Sequence, residues 1–297
     1  MFGILNLNKP SGPTSRDCVN SIQKLMRPVK VGHAGTLDPL ASGVLLVLVG
    51  QAVRLTDAVH TLRKQYIGSF QLGVTSESTD CGTPVVPIDS APSLDREAIE
   101  GQLPSFIGTI EQLPPKYSAV WIGGKRAHEL ARAGKDFAMP SRQVLISSLE
   151  LTFFEYPHFE LKMTCGTGTY VRSLGRDIAR KLGSDAVMTK LVRTAIGPFD
   201  IESSCNVNVL TNKESLENHL APAREGVKHW PQTFPTDETI LHLEQGKQIN
   251  GSELNLEKEL IDDFAAVVDS EGRLRALIKR VAKNAWRADR CFLLKNV

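Results

Sequence analysis

Residues 32–43 read Gly-His-Ala-Gly-Thr-Leu-Asp-Pro-Leu-Ala-Ser-Gly, and they place a histidine and one carboxylate, Asp38, just ahead of the apolar run Val44 to Val49. A glycine-rich loop feeding a short apolar run is the pattern of a loop held against a buried strand. Such a loop can fix a carboxylate against a rigid scaffold, and Pro39 biases Asp38 toward an extended backbone. The other reading of Asp-Pro is an ordinary turn in which Asp38 bonds its own backbone. Three more residues offer chemistry that complements a carboxylate: Tyr66, Tyr170 and Arg172. Each also has a purely structural reading. The tyrosines could be packing residues with surface hydroxyls, and Arg172 could belong to a solvated stripe with Arg176 and Arg180. Taken together they suggest an ionised carboxylate kept charged by an arginine fork, which supplies charge and two hydrogen bonds at once. Two aromatic rings would give it a flat-faced pocket suited to a nucleobase. His33, five residues before Asp38, would sit at the mouth of the same loop.

Recognisable elements must bring these groups together. Gly3 to Leu7 reads as a strand followed by the turn Asn8-Lys9-Pro10-Ser11-Gly12-Pro13. Ser15 is the expected N-cap of a helix through Met26, with Val19, Ile22 and Met26 at helical spacing. Gln51 to Leu62 is predicted helical, and Lys64 to Leu72 alternates like a half-buried strand. Residues 73–92 read as a loop, and Leu94 to Leu103 as a helix. A hairpin tip at Gly123-Gly124 and a short helix over Ala127 to Ala133 predict a projecting element within 116–142. Val144 to Phe154 and Phe159 to Cys165 read as a strand pair. Thr167 or Thr169 then starts a helix to Leu182, with an apolar stripe at Val171, Leu174, Ile178 and Leu182. Strands and helices mix without a βαβ rhythm, so the expected fold is mixed α/β (α+β) rather than doubly wound. Beyond Lys228 the composition shifts. Trp230 to Pro235 reads as a linker, followed by a small β-rich module with strands at Ala265–Asp269 and Leu274–Lys279. The expected units are therefore 1–230 and 231–297.

The chain has 297 residues and a net charge of +2, so overall charge identifies no partner. Local charge is more informative. Lys116–Arg142 holds six basic and two acidic residues, Arg172–Arg193 again six and two, and Arg273–Arg290 seven and one. Separate basic segments suggest a positive face suited to a polyanion, the alternative for each being a solvated face. Glu253–Asp263 is acidic, with five acids and one lysine. The five cysteines are scattered without a Cys-x-x-Cys pair, which argues against a disulfide framework or zinc site and fits a reducing cytoplasm. Cys165 reads as a small buried thiol, with a nucleophile as the alternative. No segment has the length of apolar sequence a membrane span needs. The N-terminus lacks a basic region followed by a long apolar stretch, so no secretory signal is expected. Neither a Walker A pattern, a dinucleotide fingerprint nor clustered metal ligands occur, so no cofactor or metal is expected.

The 32–43 segment closely resembles the catalytic-aspartate motif of the TruB family, the bacterial tRNA pseudouridine-55 synthases. The resemblance extends in family order through Asn8-Lys9-Pro10-Ser11-Gly12, Lys64-Gln65-Tyr66, Lys116-Tyr117-Ser118-Ala119, Gly124-Lys125-Arg126-Ala127 and Gly168-Thr169-Tyr170-Val171-Arg172-Ser173-Leu174, covering residues 3 to 200. It implies a pseudouridine synthase fold, with a mixed, largely antiparallel sheet flanked by helices and loops, and a PUA-like C-terminal domain. It implies that Asp38 is the nucleophile, that Tyr66 stacks on the target uracil and that Arg172 pairs with Asp38. His33, Tyr170 and Leu191 would line the nucleotide pocket, and Lys9 and Pro10 would support the site. His33 could fill the space that a flipped base vacates.

The implied reaction converts uridine to pseudouridine in the tRNA T-loop: the N1–C1′ bond breaks, the held uracil rotates and C5 joins C1′. The carboxylate attacks the sugar or the base, or assists proton removal from the ribose; all three routes need it ionised. The 116–142 insertion would clamp the T-arm through Trp121, Lys125 and Arg126, and Arg273–Arg290 would face the acceptor stem. The expected partner is tRNA, with no membrane and no obligate protein partner, for a cytoplasmic monomer. Two departures from the family pattern stand out. Thr75–Gly82 lacks the usual acid spacing, so Asp80 receives no role, and Val192 stands where an arginine commonly follows the leucine, removing one expected phosphate contact. The alternatives are a guide-RNA-dependent enzyme acting on ribosomal RNA and a protein that folds tRNA without chemistry.

Overall fold

The computed structural model describes residues 2–254 and 263–293. Its main sheet runs in the order Cys205–Asn206, Gly3–Lys9, Ser42–Val49, Ala186–Ile196, Lys64–Leu72, His158–Cys165, Arg142–Glu155, Gly108–Gln112. Pairing is antiparallel except where Ser42–Val49 meets Ala186–Ile196 and where Gly3–Lys9 meets Cys205–Asn206. This is the mixed, largely antiparallel α/β sheet expected. Ser42–Val49 is apolar without alternation because both of its faces are covered. Leu45, Val47 and Val49 pack with Cys18, Val19, Ile22 and Met26 of the helix Ser15–Met26. Val44, Leu46 and Leu48 pack on the helical segments 50–60.

The helix Ser15–Met26 has its predicted span but a different cap. Thr14 and Asp17 form a reciprocal capping box, which leaves Ser15 inside the first turn and buried. The predicted helix to Leu182 starts at Val171 and runs to Lys181, with Tyr170 at its N-cap position. It lies close to the sheet because Gly175 has no side chain: a Cβ there would fall 2.1 Å from the Phe70 ring. The stripe reading of its arginines fails, since Arg172 and Arg176 are buried and only Arg180 reaches out. The insertion forms the predicted hairpin, Trp121–Ile122 against Lys125–Arg126, and the helix Ala127–Arg132.

A second sheet, in the order Gln232–Thr233, Phe264–Val268, Leu274–Ala282, Ala285–Cys291, Ile249–Asn250, forms the C-terminal part. The Trp230–Pro235 linker reading is corrected here. Gln232–Thr233 is a strand pairing parallel with Phe264–Val268, and Trp230 packs on the core. That core is shared between the two sheets: Ala266, Leu274, Leu277 and Phe292 join Ile4, Leu55 and Val227 in one cluster. Phe2 stacks on Phe292 with centroids 5.7 Å apart. Arg290 pairs with Asp57 at 2.7 Å, and Arg54 donates to the Cys291 carbonyl at 2.6 Å. Of the acidic run 253–263, residues 255–262 lie outside the described residues. Among the described residues no helix is long and apolar enough to cross a membrane.

Candidate active site

The Asp38 loop is fastened from three sides by groups that donate to its backbone. Lys9, fully buried, donates its ammonium to the carbonyls of Pro10 (2.9 Å), Pro39 (3.4 Å) and Ala41 (2.6 Å). Burial pushes the Lys9 ammonium below its ordinary pKa, while Cys18 and Asp38 act the other way. Gly12 N–H donates to Pro39 O at 2.8 Å and Ser11 Oγ to Leu40 O at 2.9 Å, so the Asn8–Gly12 turn clamps the loop. From the helix, Ser15 Oγ accepts from Leu37 N–H (2.9 Å) and donates to Leu37 O (3.0 Å). From the sheet, the buried Arg193 donates to the carbonyls of Gly35 (3.1 Å), Thr36 (3.5 Å) and Val44 (2.6 Å). Arg193 can lie under the loop because its strand runs against Gly43, whose φ of +97° and missing side chain permit the contact. A Cβ on Gly43 would stand 2.2 Å from Arg193 O.

The Asp-Pro segment does form a turn, with Ala41 N–H donating to Asp38 O at 3.0 Å. The carboxylate takes no part in it. Asp38 Oδ2 instead lies 3.2 Å from Arg172 Nη2, at the head of the helix Val171–Lys181. The expected two-point fork on Asp38 is corrected by this geometry, because Arg172 has other acceptors. Nη1 donates to Asp80 Oδ2 (2.9 Å) and Ser78 O (3.0 Å), and Nη2 donates to Tyr117 O (2.8 Å). Asp80, which received no role from sequence, is buried and is the carboxylate nearer to Arg172. Its Oδ1 accepts from Ser78 Oγ (2.5 Å) and Gly82 N–H (2.8 Å). The clue available in sequence was local: a carboxylate between Ser78 and Gly82 in a tight turn.

Asp38, Tyr66, Tyr170, Arg172, His33 and Leu191 all line one cavity of about 470 Å³. Tyr66 lies on Lys64–Leu72 in register with Arg193, whose guanidinium lies against the phenol; burial pushes the Tyr66 pKa up, which keeps it neutral. Tyr170 is held by its backbone: Gln112 accepts from its N–H (2.8 Å) and donates to its carbonyl (3.0 Å). The Arg142 guanidinium covers the Tyr170 ring at 4.5 Å. His33 is held below its ordinary pKa, by burial first and then by Arg16, so its imidazole is neutral near pH 7. Lys64 is a further buried cation on the cavity wall, with a pKa lowered to about 8 by burial.

Lys9 and Pro10, expected to support the site, do not line the cavity; Lys9 holds the Asp38 loop through backbone carbonyls, and Pro10 contributes one of them. Trp121, Lys125 and Arg126 are placed elsewhere, on the projecting hairpin, where the Arg126 guanidinium covers the Trp121 ring at 4.1 Å. From the insertion, Ser118 and Ala119 line the cavity instead. Sequence reading gave no role to Arg193 or Gln112, and quoted Ser118 only as part of a motif, since an arginine inside a strand and a serine within a basic insertion look like surface residues. Cys165 is buried and its thiol pKa is pushed up by burial, so the packing reading stands. All five cysteines are free. Among the described residues no cluster of three or more His, Cys, Asp or Glu side chains is arranged to hold a metal ion.

Residues 23–171 match the family model for the N-terminal domain of the TruB family pseudouridylate synthases. A tRNA pseudouridine synthase B of Rhodopirellula baltica is 40% identical over 84% of this chain and 76% of its own length. One of Dehalococcoides mccartyi is 36% identical over 99% of this chain and 97% of its own length. A chain in the crystal structure of a Cbf5–Nop10–Gar1 complex superposes with a TM-score of 0.78 at 26% identity, covering 98% of this chain and 85% of that one. The fold and its relatives define the chain as a pseudouridine synthase. Within that class it belongs to the TruB family.

Proposed function

We propose that the protein isomerises uridine to pseudouridine at position 55 in the T-loop of tRNA, with Asp38 as the nucleophile. The observation that carries this reading is the Asp38–Arg172 ion pair, at 3.2 Å, in a cavity walled by Tyr66 and Tyr170. The cavity volume of about 470 Å³ accommodates one nucleotide and not a duplex segment, so the target must leave its stack to enter. Tyr66 stacks on the uracil, Tyr170 and Leu191 bound the pocket, and the neutral His33 fills the space left in the loop. Arg172 sets its positive charge beside Asp38, 3.2 Å from the carboxylate, where charge interactions strengthen as water leaves the pocket. The N1–C1′ bond breaks, the base turns within the pocket, C5 bonds to C1′, N1 takes up a proton and C5 gives one up. No group is gained or lost overall.

The insertion carries Trp121, Lys125 and Arg126 toward the T-arm, and the C-terminal unit, 231–297, extends the RNA surface through Arg273–Arg290. Recognition of this kind rests on shape and splayed loop bases. The relatives named for tRNA are more similar in sequence than the Cbf5 chain, which favours a free-standing tRNA enzyme over a guide-dependent one. Purified protein incubated with an unmodified tRNA transcript and no other factor should form pseudouridine at position 55. An unmodified transcript would overturn the proposal, and activity restored by adding a guide RNA would establish the alternative.

A further inference from the structure

Ser118 stands at the root of the insertion, on the wall of the Asp38 cavity, and is 4% exposed. Its hydroxyl has no hydrogen-bond partner among the described residues. A buried hydroxyl left unpaired costs free energy, and native structures rarely keep one without a use. The backbone around it is fixed. Ser118 N–H donates to Lys116 O at 3.0 Å, and Ser118 O accepts from His128 N–H at 3.0 Å. The residues just before it are stitched to the helix that carries Arg172. Gln112 holds both backbone groups of Tyr170, Ser173 Oγ donates to Leu113 O at 3.1 Å, and Arg172 itself donates to Tyr117 O. This part of the insertion is thus part of the active-site wall. Two other unpartnered polar atoms belong to residues of the same cavity, His33 Nδ1 and Arg172 Nε. A cavity that keeps several polar groups unsatisfied is built for a polar occupant.

We infer that Ser118 is a substrate-contacting residue whose hydroxyl hydrogen-bonds the flipped target nucleotide, so that the insertion completes the pocket and does more than grip the RNA outside it. The inference rests on the pseudouridine synthase reading and adds one contact to it. A serine hydroxyl both donates and accepts, so it can meet either a polar edge of the uracil or the ribose 2′-hydroxyl.

The test compares T-arm stem-loops carrying uridine, an abasic site or 2′-deoxyuridine at the target position. Binding is measured to full-length protein in the Asp38→Asn background, with and without Ser118→Ala. Removing the hydroxyl should weaken binding of the uridine RNA about 3- to 10-fold, the usual range for one hydrogen bond. The loss should vanish on the abasic RNA if the partner is the base, or on the 2′-deoxyuridine RNA if it is the sugar. The free Ser118→Ala protein should melt at the same temperature as its parent or higher, because an unpaired buried group has been removed. No loss on the uridine RNA, an equal loss on all three RNAs, or a lower melting temperature would each overturn the inference. Mapping of pseudouridine made by the wild-type protein tests the underlying function separately, and the binding ratios judge Ser118 whichever way that mapping falls.

Discussion

Replacing Asp80 with asparagine separates the two carboxylates that share Arg172. Asp80 accepts on both oxygens: Ser78 Oγ and Gly82 N–H reach Oδ1, and Arg172 Nη1 reaches Oδ2. An asparagine cannot satisfy all three donors. With its NH₂ toward Arg172, two donors face each other across a 2.9 Å gap; turned over, its NH₂ meets Gly82 N–H at 2.8 Å. Either orientation also removes the charge opposite a guanidinium that is 5% exposed. A hydrogen bond to a charged group is worth roughly 1.5–3 kcal/mol, and removing one partner of a buried pair costs about 3–5 kcal/mol. The retained Ser78 carbonyl and the Asp38 carboxylate blunt that loss, so a destabilisation of about 3 kcal/mol is expected. The kinetic effect follows from position, since Arg172 then loses its nearer anchor and its contact with Asp38 at 3.2 Å becomes free to shift. A displacement on the order of 1 Å in a positioned catalytic group costs up to roughly 100-fold in rate. Urea unfolding and single-turnover pseudouridine formation at saturating enzyme read the two consequences independently. A variant that unfolds at the wild-type urea concentration and reacts within about twofold of the wild-type rate would refute the anchoring argument.

Four further outcomes follow from the same geometry. Asp38→Asn should bind tRNA and form no pseudouridine, and product detected by mass spectrometry would remove Asp38 as nucleophile. Gly43→Ala puts a Cβ 2.2 Å from Arg193 O at a φ of +97°, so it should destabilise by about 3 kcal/mol or more and slow single turnover, both measurable on the purified variant. Lys64, with its pKa lowered from 10.5 to about 8, binds fewer protons folded than unfolded between those values. Stability from this residue therefore rises with pH from about 8 to 10.5, and below that window its buried charge costs roughly 3 kcal/mol; Lys64→Met should flatten the urea midpoint across that range, and an unchanged slope would contradict it. Deleting residues 232–297 strips Leu274, Leu277 and Phe292 from the shared core, a loss of about 4 kcal/mol or roughly 10 °C in Tm; an unaltered melting curve would show that the catalytic part stands alone.

Much of this site was legible in the sequence, for reasons that particular residues make clear. The apolar run Val44–Val49 announced a strand covered on both faces, and the glycines around Asp38 announced the loop it anchors. The strand of Tyr66 was readable from its alternation, and the helix of Arg172 from its apolar stripe. What escaped were contacts set by tertiary register. Arg193 acts on the Asp38 loop because its strand runs parallel beside Gly43, a pairing across 150 residues that no local pattern encodes. Asp80 meets Arg172 across 92 residues, and Gln112 meets Tyr170 across 58. The linker reading of Trp230–Pro235 failed for a related reason. Proline and polar residues there suit a turn, yet the strand Gln232–Thr233 gains its pairing from Phe264–Val268, which lies far along the chain.

The arrangement also explains how one half-buried carboxylate is held in position. Lys9, Lys64, Arg172 and Arg193 are buried around the site, and among the described residues Asp38 and Asp80 are the carboxylates recorded in ion pairs there. Four cations against two anions leave the site net positive. Such burial is tolerable because carbonyl groups substitute for counterions: three accept from Lys9, three from Arg193 and the carbonyl of His60 from Lys64. The same bonds fix the backbone on either side of Asp38, so the groups that supply the positive field also aim the acid. A positive cavity draws a polyanion, and an RNA entering it brings the negative charge that the free protein lacks. Stability given up by burying Lys64 in the free protein is recoverable wherever a polyanion supplies the missing countercharge, so the residues that would attract one are also those that hold Asp38 in place.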